Sequence, residues 1–223
     1  ESYICGDFIY RPRSFDVVVI QSDIITMDKK TTLEKLQEIR NKEQSIIAGE
    51  VNFIKQNRVD LLLADIPPIA AKIAQFADIP SWMLSNFGWD FIYRPWGGEF
   101  LEIADWISDC FAQCNHLFRL PLHEPMSAFP SIFDVGLTGG IPRYQPEEIK
   151  AKFEIHAEPE KTILLTFGGL GLENIPYESL SGFPDWQFIT FDSQSPELPN
   201  LINVRKESEK KDLNLPNIRP VDL

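Results

Sequence analysis

The sequence predicts an α/β fold with mainly parallel sheets, and three observations lead to this prediction. Several short apolar runs lack polar alternation, which is typical of strands buried on both faces of a sheet. Between them lie longer segments with apolar residues at three- and four-residue steps, which indicate amphipathic helices. Strand and helix patterns alternate along the chain, as expected of a parallel sheet with connecting helices.

The individual elements follow from local patterns. The β-branched run over 17–20 predicts the first strand, and the apolar positions of 31–57 predict one long helix. The helix predicted over 67–77 opens with two prolines, which a helix tolerates only in its first turn. In chain order, the other predicted elements of this half are strand 60–65, strand 80–85, helix 100–114 and strand 116–120.

A Gly/Pro-rich passage over 121–142 ends this first series of elements, and glycine and proline cluster at 138–142. We therefore predict two domains, 1–142 and 143–223. The second contains strands predicted over 161–167, 187–191 and 201–204, and a charged run over 205–211 that we interpret as solvated surface. The sequence begins at Glu1 without Met and its final segment ends within an α/β pattern, so we expect the chain to be truncated at both ends.

Composition excludes several classes of protein. There are 21 Lys and Arg against 33 Asp and Glu, a net charge of −12, whereas nucleic-acid binders carry an excess of basic residues. The sequence contains no apolar stretch that approaches the roughly 18 residues of a transmembrane helix. With only three cysteines it lacks a disulfide framework, which predicts a reducing, cytoplasmic location.

Ligands of open α/β sheets lie beyond the carboxyl ends of the strands, so the loops there hold the candidate site residues. Asp65 ends the second predicted strand, directly after the run Leu-Leu-Leu-Ala. Its carboxylate could act as a general base or hold a sugar hydroxyl. The alternative is that Asp65 caps the helix that begins at Pro67.

The second such loop, 85–93, combines an amide, several aromatic rings and a carboxylate. Asn86 and Asp90 would supply directional hydrogen bonds, and Trp89 would offer a face for stacking, which is a common composition of polar small-molecule pockets. The alternative is that the aromatic residues pack a helix against the sheet and that Asn86 is its N-cap.

A third loop contains Gly168 and Gly169 just after a predicted strand. Glycines there allow backbone N–H groups to approach a phosphate, although they also mark ordinary strand-to-helix turns. Cys110, Cys114 and His116 lack a fourth ligand at suitable spacing, so we predict no metal site. His123 and His156 have no accompanying nucleophile elbow, which leaves a hydrolase triad unsupported.

Several of these segments together resemble a known family. The resemblance is carried by the motifs at 65–68, 70–74, 79–81, 86–93, 119–121, 126–129 and 167–169. They are similar to those of glycosyltransferase-like proteins of the two-domain GT-B fold, and to the N-terminal region of plant-type L-arabinokinases. The most specific motif is Asn-Phe-x-Trp-Asp-x-Ile-Tyr at 86–93, whereas the glycine turn is generic.

The resemblance implies two Rossmann-like domains, with an acceptor site on the first and a nucleotide-sugar site on the second. It places Asp65, Asn86, Trp89 and Asp90 on the acceptor side, and Gly168 and Gly169 on the side of the donor diphosphate. It implies no cofactor and no metal, because the nucleotide sugar is a substrate and backbone amides can offset its charge. Our first hypothesis is a protein that transfers a sugar from a nucleotide donor to an acceptor, with Asp65 or Asp90 as the catalytic base.

Family members also carry a Gly-His loop near the start and a donor motif beyond a segment like 217–223, and this sequence has neither. We therefore expect the chain as given not to turn over. Two other hypotheses are a noncatalytic nucleotide-sugar sensing or interaction module of the same fold, and an accessory region of a sugar kinase. The sequence leaves the acceptor, the donor and the oligomeric state open.

Overall fold

The computed structural model describes residues 7–16, 18–21, 27–166 and 175–210, and these divide into two compact units. The first contains the described residues up to Thr138, apart from Gln21, and the second contains those from Gly139 onward. Each unit has its own parallel sheet, so the predicted α/β class is confirmed. The division falls within the passage where the sequence predicted a boundary; the acceptor and donor roles of the units stay predictions.

The first unit is a four-stranded sheet in the order β1-β2-β3-β4, with each neighbouring pair parallel. Its elements are α1 (Lys29–Asn41), α2 (Glu43–Asn57), β1 (Leu62–Ala64), α3 (Ile69–Ala77), β2 (Ser81–Ser85), α4 (Trp89–Tyr93), α5 (Glu99–Phe111), β3 (His116–Arg119) and β4 (Ile132–Asp134). Because sequential parallel strands are neighbours, the loops that follow them meet at one edge of the sheet.

The single long helix predicted over 31–57 is wrong, since α1 and α2 are separated at Lys42, whose φ and ψ are −93° and 2°. The two helices bury their apolar residues in different places. Leu36 of α1 joins the main core, whereas Ile47 and Ile54 of α2 pack in a second cluster with Ile69. Lys42 is both the C-cap of α1 and the N-cap of α2, so the helical run is divided there.

The strand predicted over 17–20 is also wrong for its described residues, 18–20, which lie outside the sheet. Ile20 is instead held by α1. Its amide donates to Oγ1 of Thr32 (3.0 Å), and its carbonyl accepts from the Asp28 amide (2.8 Å). Val18 is 68% exposed, so the β-branched run here does not mark a buried strand.

The main core lies between one face of the sheet and the helices. Met83 and Leu117 of the central strands are fully buried against Tyr93, Ile107 and Phe111. The opposite face is less covered than the apolar runs predicted, because Leu63 of β1 is 67% exposed and Phe133 of β4 is 49% exposed. On that face Trp82 contacts Phe118 edge to face, with centroids 5.5 Å apart.

The second unit is a three-stranded parallel sheet in the order β5-β6-β7. Its elements are α6 (Pro146–Phe153), β5 (Thr162–Leu165), β6 (Gln187–Thr190), β7 (Leu201–Asn203) and α7 (Val204–Lys210). Its core is formed by Ile149, Phe153, Ile155, Ile189 and Val204. Among the described helices of the chain, none is long and apolar enough to cross a bilayer.

Among the described elements, β4, α6 and α7 were not predicted from the sequence, and α7 covers most of the charged run over 205–211. Strand β4 lies inside the passage interpreted only as Pro/Gly-rich, and it is too short for a periodic pattern. Helix α6 carries signals that could have identified it, because Pro146 occupies the first turn together with Glu147 and Glu148, and lysines follow in its last turn. Acidic residues in the first turn and basic residues in the last turn both interact favourably with the helix dipole.

Candidate functional site

The candidate site of the first unit is the edge of the sheet where β1, β2 and β3 end. The register pairs Ala64 with Met83 and Ser85 with Arg119, so the residues that follow these strands emerge side by side. These are Asp65 after β1, Asn86 after β2 and the loop that begins at Leu120 after β3. The structure therefore places two sequence-predicted site residues, Asp65 and Asn86, on adjacent loops of one edge.

Asp65 is exposed, and no hydrogen bond or ion pair joins it to another residue in the described part of the chain. The alternative that it caps the following helix is wrong. Helix α3 begins at Ile69, its N-cap is Pro68, and no side chain caps it. The carboxylate is thus free to accept a hydrogen bond from a ligand hydroxyl.

Ile66, next to Asp65, has a strained backbone. Its φ is +46°, although its side chain is 2% exposed and packs in the core. A β-branched residue in the left-handed region is a genuine outlier and costs of order 1–3 kcal/mol. Such strain clusters at functional sites, where it fixes a turn that ordinary backbone conformations would not make. Here the turn comes directly after Asp65.

Asn86 is half-buried at the end of β2. Its carbonyl accepts a hydrogen bond from the Glu124 amide (3.0 Å). The alternative that Asn86 is the N-cap of the next helix is wrong, because the N-cap of α4 is Gly88 and no side chain caps it. Within the described residues the side-chain amide of Asn86 has no hydrogen-bond partner, so this group is available to a ligand.

Trp89 is half-buried and makes contacts within the unit. Its indole N–H donates to Oδ2 of Asp16 (2.8 Å), and its ring stacks on Tyr93 with centroids 5.6 Å apart. Phe87 meets the same indole edge to face at 5.1 Å. Burial, together with the nearby charge of Asp16, raises the pKa of Tyr93. These contacts fit the packing alternative for the aromatic residues, and the predicted contact of Trp89 with an acceptor stays a prediction.

Asp90 lies in the first turn of α4. Its Oδ2 accepts a hydrogen bond from the Ser108 hydroxyl of α5 (3.0 Å). Its Oδ1 lies close to Gly88, only 2.4 Å from where a Cβ on that glycine would stand. Asp90 thus joins two helices, whereas Asp65 is unengaged, and this geometry makes Asp65 the better placed of the two predicted bases.

Two charged residues that the sequence analysis did not select bind these loops together. Both carboxylate oxygens of Glu124 accept backbone N–H groups, from Gly88 at 3.1 Å and from Met126 at 2.5 Å. Arg119 forms a bidentate pair with Asp134 (2.7 and 3.2 Å) and donates to the Pro125 carbonyl (2.9 Å). Arg119 is the last residue of β3 and Glu124 follows in the next loop, and many residues share such positions.

We expect Gly88→Ala to destabilise the protein by about 1–3 kcal/mol, because the site is already filled. The new Cβ would lie 2.4 Å from Oδ1 of Asp90 and 3.3 Å from Cε2 of Phe111. Asp90 could give way only by disturbing its bond to Ser108. Urea unfolding followed by circular dichroism measures the change in the free energy of unfolding.

Gly49→Ala is the matched control, since Gly49 lies inside α2 and a Cβ there would meet no atom within 4 Å. We expect it to stabilise the protein by roughly 0.5–1 kcal/mol, the usual gain of Ala over Gly in a helix. Equal effects of the two substitutions would contradict the close packing of Gly88.

In the second unit, Gly168 and Gly169 lie outside the described residues. A polar cluster lies at the ends of β6 and β7. The Tyr177 hydroxyl donates to Oδ2 of Asp192 (2.8 Å), and the Asn203 amide donates to the Asp192 carbonyl (2.6 Å) and to Oγ of Ser195 (2.7 Å). Burial raises the pKa of Tyr177. These residues order the loop after β6.

Cys110 and Cys114, the two cysteines that the structure describes, are buried in the first unit. Burial raises the pKa of Cys110 to about 12 and also raises that of Cys114, so both remain protonated thiols at neutral pH. Across residues 7–16, 18–21, 27–166 and 175–210, no group of three or more His, Cys, Asp or Glu side chains could hold a metal ion.

The fold and the edge site define an α/β protein with parallel sheets whose candidate ligand residues lie at the carboxyl ends of the strands. The chain is similar to the L-arabinokinase of Arabidopsis thaliana, with 31% identity over 159 residues. This match covers 69% of the chain but spans only 15% of the length of that relative. It confirms the resemblance to L-arabinokinases predicted from the strand-end motifs.

Similar solved structures come from UGT89C1 of Arabidopsis thaliana. Its complex with UDP-L-rhamnose matches with a TM-score of 0.46 and 16% identity, over 71% of this chain and 45% of that chain. Its complex with quercetin also has a TM-score of 0.46, with 12% identity, over 76% of this chain and 48% of that chain. This chain thus spans under half of those proteins. No family model matches the sequence.

Proposed function

We propose that this chain is the acceptor-side unit and part of the donor-side unit of a glycosyltransferase-like protein. The protein would transfer a sugar from a nucleotide-sugar donor to a hydroxyl of a small acceptor. The observation that carries the proposal is Asp65, an exposed and unengaged carboxylate at a strand end, held by the strained turn at Ile66. The similarity to L-arabinokinase, by name a sugar-related enzyme, supports a sugar as ligand.

In this proposal Asp65 accepts the proton of the acceptor hydroxyl as that oxygen forms a bond to the anomeric carbon of the donor. The bond from the anomeric carbon to the diphosphate oxygen breaks, and the nucleoside diphosphate leaves with the bonding electrons. The Asn86 amide orients the acceptor by hydrogen bonding. Both residues lie on neighbouring loops, so one acceptor can reach both.

The donor diphosphate would bind the second unit through Gly168 and Gly169, as the sequence resemblance implies. The net charge of −12 disfavours a general attraction for phosphate. Local backbone N–H groups and a few side chains would therefore have to supply the binding energy. This arrangement requires no bound metal or other cofactor.

Isothermal titration calorimetry with a panel of UDP-, GDP- and ADP-sugars tests the proposal on the full-length protein. We expect saturable binding of one nucleotide class, and weaker binding of the free sugar, because the diphosphate provides much of the contact. If the folded protein binds none of these nucleotide sugars, the proposal is contradicted. Circular dichroism of the same sample establishes that it is folded.

A noncatalytic binding module of the same fold is the second candidate. It is favoured by the internal hydrogen bonds of Trp89 with Asp16 and of Asp90 with Ser108, which occupy two of the predicted site residues. This candidate predicts binding of the nucleotide sugar without release of nucleoside diphosphate. An enzyme-coupled assay for the released diphosphate distinguishes the two candidates.

A further inference from the structure

We infer that Glu124 is a positioning residue of the acceptor site, a role that rests on the function proposed above. Its carboxylate and its backbone amide hold the loop 86–88 against the loop 121–126. The loop after β3 thereby becomes part of the site, although the sequence analysis assigned it no role.

Two hydrogen bonds connect the two loops, and a third joins the residues just before them. The Glu124 amide donates to the Asn86 carbonyl (3.0 Å), and the Gly88 amide donates back to Oε1 of Glu124 (3.1 Å). The Leu120 amide donates to the Ser85 carbonyl (2.9 Å), which continues the pairing of β2 with β3 beyond the sheet. Hydrogen bonds to the segment that follows β3 therefore hold the chain both before and after the Asn86 side chain.

The other oxygen of Glu124 orders its own loop. Oε2 accepts from the Met126 amide (2.5 Å), and Met126 has a φ of +54° while its side chain is buried in the main core. Because Met126 is anchored in the core, the carboxylate is fixed between an anchored amide and the Gly88 amide. Each oxygen of this side chain faces an N–H donor. A carboxylate suits the position because both of its oxygens accept hydrogen bonds.

Arg119 extends this arrangement to the next strand. Its guanidinium pairs with Asp134 at the end of β4 and donates to the Pro125 carbonyl, next to Glu124. The ends of β2, β3 and β4 are thus connected by two charged residues. Without the Glu124 carboxylate, the amide of Gly88, the N-cap of α4, and the amide of Met126 would lose the acceptors that hold the two loops together beside Asn86.

Glu124→Gln and Glu124→Ala test the inference, with Glu34→Gln as the control because Glu34 is exposed on α1. NMR titrations of the full-length protein follow the Asn86 side-chain amide with two probes, L-arabinose and quercetin. For the probe that binds, we expect a dissociation constant about tenfold weaker in the Ala variant, because charge-assisted hydrogen bonds are lost. The Gln variant retains one acceptor oxygen and should be intermediate, and Glu34→Gln should match the wild type.

Two further readouts separate positioning from general destabilisation. Hydrogen exchange of the Gly88 and Met126 amides should be at least about tenfold faster in Glu124→Ala, with exchange of the α3 amides unchanged. The affinity for the nucleotide sugar should change less than twofold. Unchanged probe affinity or unchanged Gly88 exchange in Glu124→Ala overturns the inference. If the wild type binds neither probe and no nucleotide sugar, the proposed function itself fails, and the positioning role fails with it.

Discussion

Asp65→Asn is expected to slow sugar transfer by about 10²–10⁴-fold, since a general base contributes that factor to the rate. Asparagine has the same shape as aspartate but does not accept a proton, and Asp65 has no partner among the described residues whose loss would disturb the fold. Binding of the nucleotide sugar should therefore remain within a fewfold of the wild type. Release of nucleoside diphosphate by the full-length protein, followed with the acceptor that supports turnover, measures the rate.

Asp60→Asn is the matched control. Asp60 is also exposed and precedes the same strand, but it lies at the amino end of β1, opposite the candidate site. We expect it to leave the rate unchanged. Asp90→Asn separates the two predicted bases, because its main effect should be on stability through Ser108. A larger rate loss in Asp90→Asn than in Asp65→Asn would reverse the assignment.

Phe111→Ala is expected to destabilise the protein by about 3–5 kcal/mol, the usual cost of removing a buried phenyl ring. Phe111 is fully buried in α5 and stacks on Phe129 with centroids 4.5 Å apart. Its ring edge also packs against Gly88, so the cavity would open beneath the candidate site. Urea unfolding gives the change in the free energy of unfolding, and a lower midpoint with an unchanged slope is expected.

Phe76→Ala provides the control for the same chemical change, because Phe76 lies on α3 and is 57% exposed. Surface substitutions of this kind stay within about 0.5 kcal/mol. A similar cost for both variants would mean that Phe111 does not occupy the core position described. Hydrogen exchange at Gly88 in the Phe111 variant would show whether the loop above the cavity loosens.

Most strands and helices could be predicted from the sequence because their signals are local. The run DLLLAD predicts β1, and the apolar steps and prolines of 67–77 predict α3, since both patterns depend on neighbouring residues. The errors occurred where contacts between residues that are distant in the sequence determine the local structure. The run at 18–20 has the composition of a strand, but Ile20 bonds to Thr32 of α1 instead of joining the sheet.

The candidate site was predicted in part for the same reason. Asp65 and Asn86 could be selected because each lies at the end of a predicted strand or directly after it, and parallel strands bring such positions to one edge. Glu124 could not be selected, since its bond to Gly88 spans 36 residues. Trp89 and Asp16 are 73 residues apart, and their hydrogen bond also has no counterpart in local sequence.

By itself, the sequence determined the α/β class, the parallel character of the sheets and the two polar loops that follow strands. These depend on periodicity and on residues that follow strands, which are properties of short segments. Only the tertiary structure decided which of two candidate carboxylates is unengaged. Asp65 and Asp90 look alike in the sequence, but helix packing brings Ser108 to Asp90 and leaves Asp65 exposed beside the strained turn at Ile66.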